Sequence, residues 1–279
     1  MQRFVRLGLI AALLLATGFG GCADAAGPTD AQAEREVARV SGSGTCMPLL
    51  KLLSGAYEDE DVEWRYLPGL HTGGGINGVN NGELEVGAIS RDMTEEELAL
   101  GLVHTPLSND GIVIAVHPSV TVDALTTQQV RDIYAGTYEN WQQLGGPDLP
   151  ITILDRNEDE SAKIILRQYV LGSDLVVSPK AVSLYYETDI INGLQATAGA
   201  IGYFSLGYGI SEGIPVKFIS LDGVEATVEN INNGTYAVVR PLGVVTSPDA
   251  TPEITAFLEW AASDEAVSLM EDNGYAAIR

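Results

Sequence analysis

Residues 41–46 read SGSGTC, between the apolar run REVARV (35–40) and the segment MPLLKLLSGAY (47–57). The V-A-R-V run has strand character. Beyond the turn, Met47, Leu50, Leu53 and Tyr57 recur at the spacing of one helical face. A strand, a glycine-rich turn and a helix form a unit of α/β architecture. Such a unit leaves several backbone N–H groups unpaired at the positive end of a helix dipole. Two readings fit the turn at this level. Ser43 or Thr45 caps the helix, or the turn holds an anion, its glycines letting amides approach and its hydroxyls finishing the coordination.

The chain opens with MQRFVRLGLIAALLLATGFGGC: Arg3 and Arg6, then an apolar run too short for a lasting membrane span. We read residues 1–21 as an export signal peptide. Phe19-Gly20-Gly21-Cys22 is similar to the bacterial lipobox, with Phe19 where Leu is usual. Lipidation is therefore expected at Cys22, with 22–34 as lipidated cysteine and tether, because ADAAGPTDAQAE (23–34) is small and polar. The alternative is an ordinary cleaved signal with an incidental cysteine. The mature protein would be exported, lipid-anchored in the periplasm or at the outer face of the cell membrane.

About 245 residues remain from Arg35, a length that suits two lobes better than one core. A lipidated Cys22 would leave Cys46 without a disulfide partner. Removal of the leader leaves 13 basic against 38 acidic residues, a net charge of −25. That balance argues against nucleic acid or anionic lipid surfaces as partners. Any small anion must be held by short-range dipoles and hydrogen bonds in a closed cleft.

Short strands alternate with amphipathic helices from Val62 onward. VEWRYLP, LEVGAIS, GIVIAV, ITILD, AIGYFSL, VKFISL and TYAVVRPLGVV read as strands. TEEELALG, LTTQQVRDIYAG, ESAKIILRQYVLG and the long TPEITAFLEWAASDEAVSLMEDNG read as helices, and HTGGGINGVNNG as a glycine-rich loop entering a short helix. GIVIAV (111–116) and AVVRPLGVV (237–245) are the candidate crossover strands. They divide the body into lobe I (35–111 plus 239–279) and lobe II (112–238). A ligand cleft is expected between the lobes, where strand-end loops converge.

Four small-residue loops follow strands: SGSGTC, HTGGGIN, ISRDM and DRNEDESAK. In the last, Arg156 follows a buried strand directly and needs a partner for its planar fork, either Asp155, Asp159 or an oxyanion. Ser161 five residues later either N-caps a helix or joins the site. Tyr185-Tyr186 either lines a cleft or packs as an aromatic pair, with packing the first reading. No Gly-x-Ser-x-Gly elbow or phosphate-binding P-loop is present, and His71, His104 and His117 lack metal-ligand spacing. Nothing points to a metal or cofactor. Ser43 or Thr45 as the nucleophile of an exported phosphate-ester hydrolase would lack a base in any recognisable motif.

Taken in order, GSGT, TGGG followed by INGVNNGELEVGAISR, DGIVIAV, LTTQQVRDIYAG with NW after it, R-x-x-x-x-S-A-K, AIGY and NGTYAVVRPL resemble the phosphate-binding proteins of bacterial phosphate ABC importers. The resemblance runs from about Val37 to Ile278. It implies an α/β, two-lobed periplasmic-binding-protein (type II) fold with two crossover strands and an inter-lobe cleft. It further implies a monomeric receptor, not an enzyme, that captures inorganic phosphate and delivers it to an ABC permease. Carried over by position, it places Ser43, Gly44, the Thr45 hydroxyl and the Cys46 N–H at the ligand. Thr72, Gly73 and Ser90 would join them. Arg156 would be the lone cationic contact, with Ser161 and the amides of Ala162 and Lys163 completing the ring. The chain departs from the family in having four residues between Arg156 and Ser161, and Ala162-Lys163 where Gly-Thr is usual. The Lys163 side chain thereby becomes a candidate contact, and the change could favour molybdate, tungstate or sulfate. Asp110 would accept the ligand's proton or brace Arg156.

Overall fold

The computed structural model describes residues 35–58 and 62–278. The signal peptide, Cys22 and the tether lie outside the described residues. The described residues from Arg35 onward cluster as one compact unit. The elements are β1 (Glu36–Gly42), α1 (Met47–Ala56), β2 (Val62–Tyr66), α2 (His71–Asn80), β3 (Val86–Ile89), α3 (Glu95–Leu98) and β4 (Val103–Val116). Next come β5 (Ala124–Leu125), α4 (Thr127–Ala135), a 3-10 turn (Trp141–Leu144), β6 (Thr152–Arg156) and α5 (Ser161–Leu166), which runs on as a π turn to Leu171. The chain continues through β7 (Val182–Leu184), α6 (Glu187–Ala196), β8 (Ala200–Ser205), α7 (Leu206–Ser211), β9 (Lys217–Leu221) and α8 (Val228–Asn232). It ends with β10 (Val239–Thr246), α9 (Pro252–Ala261), α10 (Asp264–Asp272) and β11 (Ala276–Ala277).

The strands join in the order β2-β1-β3-β10-β4-β8-β6-β7. β1 is parallel to β2 and β3, with Val40 opposite Tyr66 and Gly42 opposite Ala88. β10 runs antiparallel to both β3 and β4. The centre of the molecule is β4, at 14 residues its longest strand. Its first half pairs with β10 and β11; from Ile112 onward it pairs with β8 and β9. GIVIAV is thus the second half of a longer strand, which begins eight residues earlier than the apolar run because β10 supplies partners for its less apolar part.

Three buried clusters follow this division. One surrounds Ile112–Val116 with Trp141, Leu166, Tyr203 and Phe204, and extends to Val238. A second joins β1 and α1 to Leu242, Val244, Phe257 and Met270. A third, smaller one packs α2 on β3 through Ile76, Val79 and Ile89. Each buried Leu, Ile or Phe contributes about 1.5–3 kcal/mol relative to its exposed state. Close backbone approaches, of β3 to β1 and of α2 to the sheet, fix two glycines. Gly42 has φ +128°, and a side chain there would overlap the Ala88 carbonyl. A Cβ at Gly75 would lie 2.9 Å from the Gly42 Cα.

Local chemistry shifts two boundaries from those expected. HTGGGINGVN is helical from His71 itself, so the glycines lie inside α2 rather than in a loop before it. His71 takes φ 57°, a left-handed value that a side chain adopts at some cost. The long C-terminal helix is two helices, because Ser263 accepts a hydrogen bond from the Ala266 amide at 3.2 Å and starts α10 afresh. Among the described residues no helix is long and apolar enough to cross a membrane.

Candidate functional site

Loops and helix starts from both halves of the sheet line an open cavity of about 900 Å³. Ser43, Gly44, Thr45, Thr72, Gly73, Ser90, Arg156 and Ser161 all line it. The glycine-rich turn after β1 reaches it because the Ser43 amide donates to the Ala88 carbonyl at 2.8 Å, tying the turn to β3. Neither expected cap is formed. Cys46 occupies the N-cap of α1 without a side-chain bond. The Ser43 hydroxyl instead donates to the Ser90 hydroxyl at 2.8 Å. Ser90 is held in turn by its amide, which donates to the Thr72 hydroxyl at 3.1 Å. Three buried hydroxyls, from the turns after β1 and β3 and from the first turn of α2, thus form one linked patch. Beside it the Gly44 and Thr45 amides and the Thr45 hydroxyl have no hydrogen-bond partner among the described residues.

The opposite wall is built by β6 and α5. The Arg156 amide donates to the Tyr203 hydroxyl at 3.1 Å, and that hydroxyl donates to Asp155 at 2.8 Å. Burial first, and the Asp155 charge second, push the Tyr203 hydroxyl well above its ordinary range, so it remains a donor. The Arg156 side chain is 7% exposed and faces the cavity. One of its nitrogens, Nη2, donates to Glu160 at 2.6 Å, while Nε is buried without a partner. Glu160, rather than Asp155 or Asp159, is therefore the partner that the sequence required. Ser161 is not a cap, since Glu160 holds the N-cap position. The amides of Ser161, Ala162 and Lys163 have no hydrogen-bond partner among the described residues.

Three expectations are corrected. The Cys46 amide donates to the Ser43 carbonyl at 3.1 Å, and its side chain packs in the core, where burial pushes the thiol up to about 12. Ala162 is buried off the cavity wall, and Lys163 is fully buried with Nζ 2.6 Å and 2.7 Å from the Asp155 oxygens. That ion pair clamps the start of α5 to the end of β6, so the Lys163 side chain is a brace and not a contact. Asp110 is also away from the cavity and does not brace Arg156. It accepts from Arg240 Nε and Nη2 at 3.0 Å and 2.9 Å, from the Ser205 hydroxyl at 2.9 Å and from the Gly207 amide at 3.2 Å. Burial raises the Asp110 pKa, with Arg240 opposing the shift.

Arg240 is the principal residue missed. It is 1% exposed on β10, pairs with Asp110 of β4 and Glu187 of α6, and donates from Nη1 to the Ser161 hydroxyl at 3.4 Å. Burial works against its charge, but Asp110 and Glu187 outweigh that and raise its pKa. A charged residue inside the apolar run AVVRPLGVV was the available signal: such a residue needs a buried counter-ion, and Asp110 sits at the start of the other crossover run. Tyr185 and Tyr186 are exposed and line the cavity, the second of their two readings from the sequence. Hydroxyls, free amides and one buried guanidinium facing a shared cavity form a set of donors suited to a compact oxyanion.

Comparison with known proteins agrees with this geometry. The PBP superfamily domain matches residues 25–265. The chain belongs to the PBP superfamily. A crystal structure of a candidate phosphate ABC transporter substrate-binding protein from Clostridium perfringens, solved with bound phosphate, aligns with a TM-score of 0.75. It shares 27% identity, over 88% of this chain and 100% of that one. The phosphate-binding protein PstS of Borreliella burgdorferi is 26% identical over 215 residues, 74% of this chain and 76% of that protein. The PstS of Bacillus subtilis is 26% identical over 243 residues, 85% and 79% of the two chains. The α/β fold is thus the two-lobed architecture expected from the ordered motifs.

Proposed function

We propose that this protein is an extracytoplasmic solute-binding lipoprotein that captures inorganic phosphate and delivers it to an ABC permease. The observation carrying this reading is Arg156, buried on the cavity wall with an unpartnered Nε and facing a cavity that the hydroxyls of Ser43, Thr72 and Ser90 also line. A desolvated guanidinium with spare donors is an anion site in want of an anion. The similarity to phosphate-binding proteins supports phosphate as that anion. Two lobes, 35–111 with 239–279 and 112–238, would close on it about the β4–β10 pair. The protein acts as a monomer and performs no chemistry on its ligand. Anchoring through Cys22 keeps it beside the permease.

Calorimetric titration of the mature protein tests the ligand. Heat is expected with micromolar phosphate and little with sulfate, molybdate or tungstate. Binding of one of the latter without phosphate overturns the assignment. Cys22→Ala should release the protein from the membrane fraction, and retention would remove the lipid anchor from the reading.

A further inference from the structure

Arg240 stands behind the oxyanion site rather than in it. Its chain neighbour Pro241 and its hydrogen-bond partner Ser161 both line the cavity, whereas Arg240 itself is buried in the sheet. Both halves of the molecule anchor it. In β10 it lies opposite Asp110 of β4, two residues before β4 takes β8 as its partner at Ile112. Asp110 accepts from Nε and Nη2, and Glu187 at the start of α6 accepts from Nη2 at 3.3 Å. A planar fork held on two of its nitrogens has a fixed third. That third, Nη1, donates to the Ser161 hydroxyl.

We propose that Arg240 is a positioning residue of the anion site and acts through Ser161. This rests on the phosphate reading. A guanidinium can only donate, so the Ser161 oxygen accepts from it and the single hydrogen of the hydroxyl is left to point elsewhere. It points across the cavity, to the Ser90 carbonyl at 3.4 Å. That contact is long, and a charged oxyanion is a better acceptor than a peptide carbonyl. An anion seated between the walls therefore takes this hydrogen from Ser90. Donation from a cation into the same oxygen also polarises the hydroxyl and makes it a stronger donor. Asp110 and Glu187 hold the fork in place and keep it from swinging into the cavity. Stability alone is a weak reason to bury these three charges together, since apolar residues of similar volume often serve as well.

Titration calorimetry with inorganic phosphate on the mature protein, on Arg240→Lys, on Ser161→Ala and on the double variant tests the proposal. Lysine keeps a buried positive charge for Asp110 and Glu187, but its single ammonium cannot also present a fixed donor to Ser161. Each single variant is expected to weaken phosphate about three- to tenfold. Added to Ser161→Ala, Arg240→Lys should change affinity by less than about twofold. A merely structural role gives equal losses in both backgrounds, and that result overturns the proposal. So does phosphate binding by Arg240→Lys within about twofold of the parent. Where Arg240→Lys does not fold, NMR of the Arg240 guanidinium nitrogens decides: phosphate should shift their resonances in the parent and leave them in place in Ser161→Ala. Equal shifts in the two proteins overturn the proposal. Each of these failures leaves the phosphate reading intact, whereas a parent that binds no phosphate removes both.

Discussion

Replacing Arg156 with Ala tests the centre of the site, and its neighbour Glu160 makes the outcome quantitative. Arg156 gives one hydrogen bond to Glu160 and keeps Nε free in a buried position. A bound anion taking two charge-assisted hydrogen bonds from the guanidinium gains roughly 1.5–3 kcal/mol from each. Part of that is offset, because the anion and the Glu160 carboxylate compete for the same fork. The net loss in Arg156→Ala is therefore about 2–4 kcal/mol, or roughly 30- to 1,000-fold in Kd. Glu160→Gln removes the competitor and should tighten binding by about three- to tenfold. In Arg156→Ala the orphaned Glu160 charge still faces the anion, so the double variant should bind better than the two single effects predict by addition. Calorimetry measures all four proteins, with circular dichroism verifying that each is folded. Phosphate binding by Arg156→Ala within about threefold of the parent, with the fold intact, refutes the assignment of Arg156 to the ligand.

Further outcomes follow from the buried pairs. Arg240→Ala strands Asp110 and Glu187 without their guanidinium and should cost about 3–5 kcal/mol in urea denaturation; a loss under 1 kcal/mol would refute a stabilising role for the buried pair. Lys163→Met likewise leaves Asp155 unpaired and should cost about 3–5 kcal/mol of stability, while phosphate affinity stays within about threefold. Lost affinity at unchanged stability would return Lys163 to the ligand. The Arg91 guanidinium and the Thr94 cap hold Glu97 down to about 2. This depressed pKa contributes stability above the unfolded value of about 4.3, which is lost as pH falls toward 2. Arg91 is 42% exposed, so screening reduces the contribution to about 1 kcal/mol. Glu97→Gln should flatten the stability profile in that window, and an unchanged profile would deny the pair any role.

The alternation of strands and helices was legible because the elements that decide the fold carry strong periodicity: REVARV, MPLLKLLSGAY and GIVIAV each lie where expected. Boundaries were less legible where a single side chain sets them, as Ser263 does when it caps α10. Short elements without an apolar face of their own, such as β5 and β11, exist only because a neighbouring strand offers hydrogen bonds. Within the site, loops carrying glycine and hydroxyls were readable. The pairing of buried charges was not, since Asp110 and Arg240 lie 130 residues apart. Nothing local distinguishes a carboxylate that faces a ligand from one that holds an arginine behind it.

Strand β4 serves as the middle of both halves of the sheet. Its first half is hydrogen-bonded to β10 and its second half to β8. Neither half of the molecule can melt without withdrawing a central strand from the other. Heating should therefore give one calorimetric transition, not two. A gene split near Gly111 should yield fragments that fail to fold separately, each having lost part of the rod on which its hydrophobic interior is assembled.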